Sequence, residues 1–250
     1  KHLQYFVDTD LIEKLRGYLP GKRQAMFTPV AEEDSLLKHE IDAAKAKVKN
    51  LLQNDNCSSV VVFSRKPVLK GLNNKKIKNI IFDSFLDLSR TEDSWKNINV
   101  VFNCIGTTRS RAGGAIPFIE IEHGISLEIA RMAERENIEY ISLISAQGAN
   151  HNSFAVNFIH PLLYIKTMGR KEQTIVKDHK FKCATIFKPG MLIRLQKETP
   201  FFEKISDFFN FGLRVDMLAN AMVNEFELNF NQNNKGIHYY TGNEAIKKLT

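Results

Sequence analysis

Short apolar runs separated by stretches of helical spacing set the strongest limit on what this chain can fold into. Runs rich in Val, Ile, Phe and Leu fall at residues 59–63, 77–82, 99–105, 139–145 and 181–187, with a shorter one at 24–28. Their length and β-branched content read as strands. Residues 32–53, 118–137 and 161–178 read as helices between them. Strands this apolar cannot show a face to water, so alternation with helices implies a parallel sheet covered on both sides. The expected fold is α/β and doubly wound, with a ligand crevice at the carboxyl ends of the strands. Residues 1–20 place Leu3, Phe6, Val7, Leu11 and Leu15 at helical spacing before Pro20-Gly21, which predicts an extra N-terminal helix. The tail holds a Phe-rich helix at 201–211, another at 215–226 and a terminal segment at 237–249, together read as a small helical cap. The chain thus divides into an N-terminal extension (1–21), a sheet domain (22–195) and a C-terminal cap of that same domain (196–250).

Composition removes several alternatives. A chain of 250 residues with 43% hydrophobic side chains and 18 Phe has ample apolar surface to bury, which excludes disorder. The longest stretch free of Asp, Glu, Lys and Arg, 140–165, is interrupted by Gln147, Asn150, His151, Asn152, Asn157 and His160, so no transmembrane segment is expected. The net charge of +7 divides almost evenly between the halves, and Lys75, Lys76 and Lys78 form its one short cluster. A dispersed charge does not suit nucleic acid. Cys57, Cys104 and Cys183 are isolated, without the paired spacing of a disulfide framework or zinc site. His151 and His160 flank a polar loop with no carboxylate or thiol at ligand spacing, so no metal is expected. The chain opens at Lys1 without a methionine and reads as processed or incompletely seen. Its basic balance suits the mitochondrial matrix, with the cytoplasm as the alternative.

The run Val100-Val101-Phe102-Asn103-Cys104-Ile105-Gly106-Thr107-Thr108-Arg109 resembles the fourth-strand signature of the Tat-interacting-protein-like oxidoreductases. The likeness continues in Leu143-Ile144-Ser145-Ala146-Gln147-Gly148-Ala149, in Tyr164-Ile165-Lys166-Thr167-Met168-Gly169 and in Ile186-Phe187-Lys188-Pro189-Gly190. It also includes Val215-Asp216-Met217-Leu218-Ala219 and Asn243-Glu244-Ala245-Ile246, and it spans about residues 60–250. That family comprises atypical short-chain dehydrogenases, so the resemblance implies a Rossmann-like fold, NADPH as cofactor and a Tyr-x-x-x-Lys pair.

Two parts of that apparatus are missing. Glycines after the first strand let the backbone approach a pyrophosphate at a helix N-terminus. The turn after 24–28 reads Thr28-Pro29-Val30-Ala31-Glu32-Glu33-Asp34, and no glycine occurs between Gly21 and Gly71. Pro29 removes an amide donor, and three carboxylates stand where phosphate charge would rest. The second loss is the lysine, which holds the ribose and lowers the tyrosine's pKa. Tyr164 is followed four residues on by Met168. Lys166 is turned about 200° away from the position-168 direction, and Lys171 sits about 10 Å along the helix instead of about 6 Å. Ser145 is the remaining hydroxyl at the end of the fifth strand, followed by Ala146. Arg65 matches the place of an arginine that meets the NADP 2′-phosphate, and Gly106, Thr107 and Arg109 border the crevice.

The expectation is a catalytically degenerate short-chain-dehydrogenase-like protein, with no intact catalytic set and no bound cofactor. NADPH remains the candidate if the site survives in altered form. A fold that keeps its core after losing its chemistry points to its surface, hence to neighbouring protein subunits of a large mitochondrial assembly. Respiratory complex I, which holds another Rossmann-type accessory subunit, supplies the analogy. An active NADPH-dependent oxidoreductase and a soluble regulatory protein-binding module are the alternatives.

Overall fold

Alternation within the strands builds two cores on opposite faces of one sheet. The computed structural model describes residues 2–6, 23–27, 57–64, 75–81, 84–156, 159–193 and 212–250. The strands are β1 (His2–Phe6), β2 (Arg23–Phe27), β3 (Cys57–Ser64), β4 (Ile77–Ile81), β5 (Ile98–Asn103), β6 (Tyr140–Ile144), β7 (Cys183–Lys188) and β10 (Gly236–Thr241). They form one parallel sheet in the order β10-β7-β6-β5-β1-β3-β2, with β4 also pairing β3. Two short strands, β8 (Leu192–Ile193) and β9 (Leu213–Arg214), pair separately.

Successive side chains in a strand point to opposite faces. Val60, Val62, Val100, Phe102, Tyr140, Cys183 and Phe187 fill one core, against α5 (Val215–Asn231) and α6 (Asn243–Lys247). Val61, Phe63, Val101, Ile141, Leu143, Ala184 and Ile186 fill the other, against α3 (Ile125–Arg135). Trp95 belongs to this second core: it is fully buried, stacks near Phe63 at 5.4 Å between ring centroids, and donates its indole N–H to Thr91 Oγ1 at 2.9 Å.

Two regions differ from the expected architecture. Residues 2–6 are the strand β1, hydrogen-bonded in register with β5 (Leu3↔Val100, Tyr5↔Phe102) and with β3, instead of opening an N-terminal helix. An interior sheet position satisfies backbone groups on both edges, and that outweighs helical spacing in so short a segment. The remainder of the expected helix lies outside the described residues. At the other end, residues 236–241 are not part of a helical cap. They form β10, which pairs with β7 along its whole length, and α5 packs directly on the sheet through Phe226, edge-on to Phe102 and Tyr140. The expected helices at 32–53 and 201–211 also lie outside the described residues.

The chain passes from β1 out to β3 and β4, then returns to place β5 on the other side of β1. Strand order therefore reverses between β1 and β5, and this is where a doubly wound sheet opens its crevice. The segments following β5 and β6 line that end: α1 (Arg109–Ala112) and α2 (Ala115–Ile119), the loop after β6, and α4 (His160–Gln173). Among the described residues no helix is long and apolar enough to cross a membrane.

Candidate functional site

After β5 the chain turns through Gly106 and Thr107 into α1, which Arg109 opens. Helix α2 runs on through a π-helical turn, Glu120–Gly124, into α3. Such a turn inserts a residue into the helical ladder and is frequent at functional sites. Here it carries Glu122, whose carboxylate reaches the crevice. Glu122 Oε1 accepts the Thr107 backbone N–H at 2.6 Å, and Glu122 Oε2 meets Lys171 Nζ at 3.1 Å. Lys171 also donates to the Ile105 carbonyl at 2.7 Å. Both side chains of the pair are 1% exposed. Lys171 is therefore no stand-in for the missing lysine: its ammonium is consumed inside the protein.

The next residue of α4 serves a second cluster. Ser145, buried at the carboxyl end of β6, donates its hydroxyl to Glu172 Oε1 at 2.6 Å. Lys188, at the end of β7, binds the same carboxylate at 2.8 and 2.9 Å. A hydroxyl already bound to a carboxylate is poorly placed to polarise a carbonyl.

Tyr164 lies on α4, packed beside Phe118 at 6.1 Å between centroids. Burial, reinforced by the nearby Glu122 charge, pushes its phenol up to about 12. An acid–base catalyst works best with a pKa near the operating pH, and here the shift runs the opposite way. Met168 is 5% exposed and offers no charge to correct it. The neighbouring Gly169 is needed for packing: a Cβ there would stand 2.1 Å from the His151 backbone nitrogen, so the loop after β6 closes directly onto α4. Gly106 is different, since among the described residues a Cβ would meet Glu122 Oε1 at 3.6 Å, an ordinary contact.

These observations test whether a dinucleotide fits. Its phosphates need free N–H donors and a backbone that only glycine permits. Thr107 N–H is already bound to a carboxylate, and Gly106 forms no cradle that a side chain would fill. The sequence after β1, Val7-Asp8-Thr9-Asp10, has no glycine either, and like the turn after β2 it carries carboxylates. Among the described residues, the turn after β5 offers a pyrophosphate neither a free Thr107 N–H nor a glycine cradle. Arg65 and residues 28–35 lie outside the described residues. Gly106 and Thr107 follow β5, Arg109 opens α1, Ser145 follows β6, and Tyr164 and Met168 lie on α4. The sequence reading missed Glu122, Glu172 and Lys188. The Lys171-Glu172 pair of opposite charges on the Tyr164 helix was the available signal. Among the described residues no cluster of His, Cys, Asp or Glu could hold a metal.

Comparison with known proteins places the chain. No family model matches it. The mitochondrial protein FMP52 of Lodderomyces elongisporus is 38% identical over 100 residues, 40% of this chain and 39% of that protein. The chain thus spans about two-fifths of that relative's length. The mitochondrial protein fmp52-2 of Aspergillus terreus is 31% identical over 162 residues, covering 64% of this chain and 67% of its own. HTATIP2 of Rattus norvegicus is 25% identical over 230 residues, 87% of each chain. Among solved structures, the oxidoreductase ylbE from Lactococcus lactis matches 90% of this chain and 95% of its own with a TM-score of 0.52 at 14% identity. UDP-glucuronic acid 4-epimerase from Bacillus cereus, solved with NAD, matches 99% of this chain and 90% of its own with a TM-score of 0.57 at 9% identity. These likenesses establish the fold as one that accommodates NAD in its neighbours. Several relatives bear mitochondrial names, and the protein is assigned to that compartment. By sequence and by fold, the chain belongs to the atypical short-chain dehydrogenase family that includes FMP52 and HTATIP2.

Proposed function

We propose that this protein is a catalytically silent member of its family that works without a bound dinucleotide, as a structural accessory subunit of a large mitochondrial assembly such as a respiratory-chain complex. One observation carries the reading: each catalytic position is lost or committed elsewhere. Met168 stands for the lysine, the Tyr164 phenol is pushed up to about 12, and the Ser145 hydroxyl is held by Glu172. Any one loss can be compensated. Three together leave no donor poised to protonate a carbonyl oxygen. The surface supplies a second support. Phe154 is 74% exposed and Ile116 is 64% exposed, in the segments following β6 and β5, and large apolar side chains at one end of a molecule suit a protein partner. Native gels of gently solubilised mitochondria test this reading. The protein is expected to migrate with a large complex, and recovery chiefly as a free monomer would defeat it.

The second reading, an NADPH-dependent oxidoreductase, has its own observation. Asn103 is fully buried at the carboxyl end of β5, and its Nδ2 has no hydrogen-bond partner among the described residues. A donor left open beside the crevice is one that a ligand's acceptor would satisfy.

A further inference from the structure

Four glutamates are buried among the described residues: Glu122, Glu128, Glu172 and Glu225. Three are ion-paired, with Lys171, Arg131 and Lys188 respectively. Glu225, on α5 and 1% exposed, is held by neutral donors. Thr185 Oγ1 lies 2.8 Å from both its carboxyl oxygens, and the Asn229 side-chain amide donates to Oε1. Among the described residues the titratable groups around it are Tyr140 from β6, Cys183 from β7 and Tyr240 from β10, none of them cationic. Lys182, above the Tyr140 ring, is paired with Glu139 at 2.8 Å.

Strand register explains the cluster. Ser142 and Thr185 are direct partners across β6 and β7, on the sheet face that packs against α5. Thr185 reaches Glu225, whereas Ser142 Oγ is buried with no partner among the described residues. They line a cavity of about 10 Å³ with Cys183, Asn229 and apolar side chains such as Val100 and Phe226. One water needs about that much space and two to four polar partners. A bare hydroxyl in a dry pocket would be an uncompensated loss of hydration.

We propose that this cavity binds one ordered water between the Ser142 hydroxyl and the Glu225 carboxyl group, and that the hydrated pair takes up a proton when α5 docks on the sheet. The proton comes from solvent and rests on a carboxyl oxygen; no other bond forms or breaks. Burial without a cation disfavours the charged form and raises the Glu225 carboxyl to about 7, although the Thr185 and Asn229 donors restrain the rise. In the unfolded chain the group returns to its ordinary value of 4.5. The folded state therefore holds the extra proton between those values. Stability from this group is complete below the lower value and is lost as pH rises through the upper one.

Urea unfolding of the full chain between about pH 5 and pH 8, with Glu225→Gln alongside, tests the proposal. The wild type should lose stability relative to the variant across that window, with a linkage approaching one proton. Parallel pH profiles would overturn the idea. A readout that needs no variant is the infrared carbonyl stretch of a buried protonated carboxyl group, expected at pH 6 and absent at pH 8; no such band at pH 6 would also overturn it. A high-resolution crystal structure should place a water within hydrogen-bond reach of Ser142 Oγ and Glu225. A dry cavity would remove the hydrated half of the claim.

Discussion

The crevice end of the molecule and the sheet face under α5 solve the same problem in different ways. Both bury carboxylates. At the crevice, Glu122 and Glu172 meet Lys171 and Lys188, in pairs that tie the ends of β5, β6 and β7 to α4. Under α5, Glu225 meets hydroxyl and amide groups, so its charge is free to change with pH. The difference teaches where the protein is rigid by construction. At the end where an enzyme of this fold takes up cofactor and substrate, ion pairs join the strand ends to α4, and the face with no expected chemistry holds a buried carboxyl group among neutral donors.

Breaking the crevice pairing should have the largest effect. Lys171→Met leaves Glu122 buried without its cation, and such a loss costs about 3–5 kcal/mol, read as a lower urea midpoint. Adding Glu122→Gln should recover part of the loss, because the uncompensated charge is then gone. Under α5 the sign reverses. Glu225→Gln should raise stability above about pH 7, by up to about 3–4 kcal/mol for a shift from 4.5 to about 7, and should have little effect near pH 4. Ser145→Ala should do least. It removes one hydrogen bond to Glu172 while Lys188 stays in place, a change of about 1–2 kcal/mol in urea unfolding. A catalytic serine would instead show its loss in turnover with little change in stability.

Much of the architecture is legible in the sequence because strands buried on both faces cannot be anything else. Val60 to Phe63 and Val100 to Phe102 send alternate residues into two cores, and a continuous apolar run records that. β1 and β10 were hidden for opposite reasons. Leu3, Phe6 and Val7 mimic helical spacing, and pairing with β5 decides otherwise. β10 lies at the sheet's edge with Ile237 and Tyr239 exposed at 43% and 49%, so it lacks the apolar signature of its neighbours. At the site, the missing lysine and missing glycines are plain from residue identity alone. The ion pairs are not. Lys171 and Glu172 are adjacent and of opposite charge, and nothing local says that both turn inward to partners 49 and 16 residues away in sequence. Gly169 is similar, since its need for a hydrogen in place of a side chain comes from the distant loop at Asn150 and His151.

The central claim is that the crevice of this protein is closed by its own side chains and takes no dinucleotide. Isothermal titration of the purified full chain with NADPH and with NADH tests it most directly. The account predicts no saturable binding of either at millimolar concentration, with Thr107 N–H and Ser145 Oγ still engaged by Glu122 and Glu172. Micromolar or tighter binding of either cofactor would contradict it.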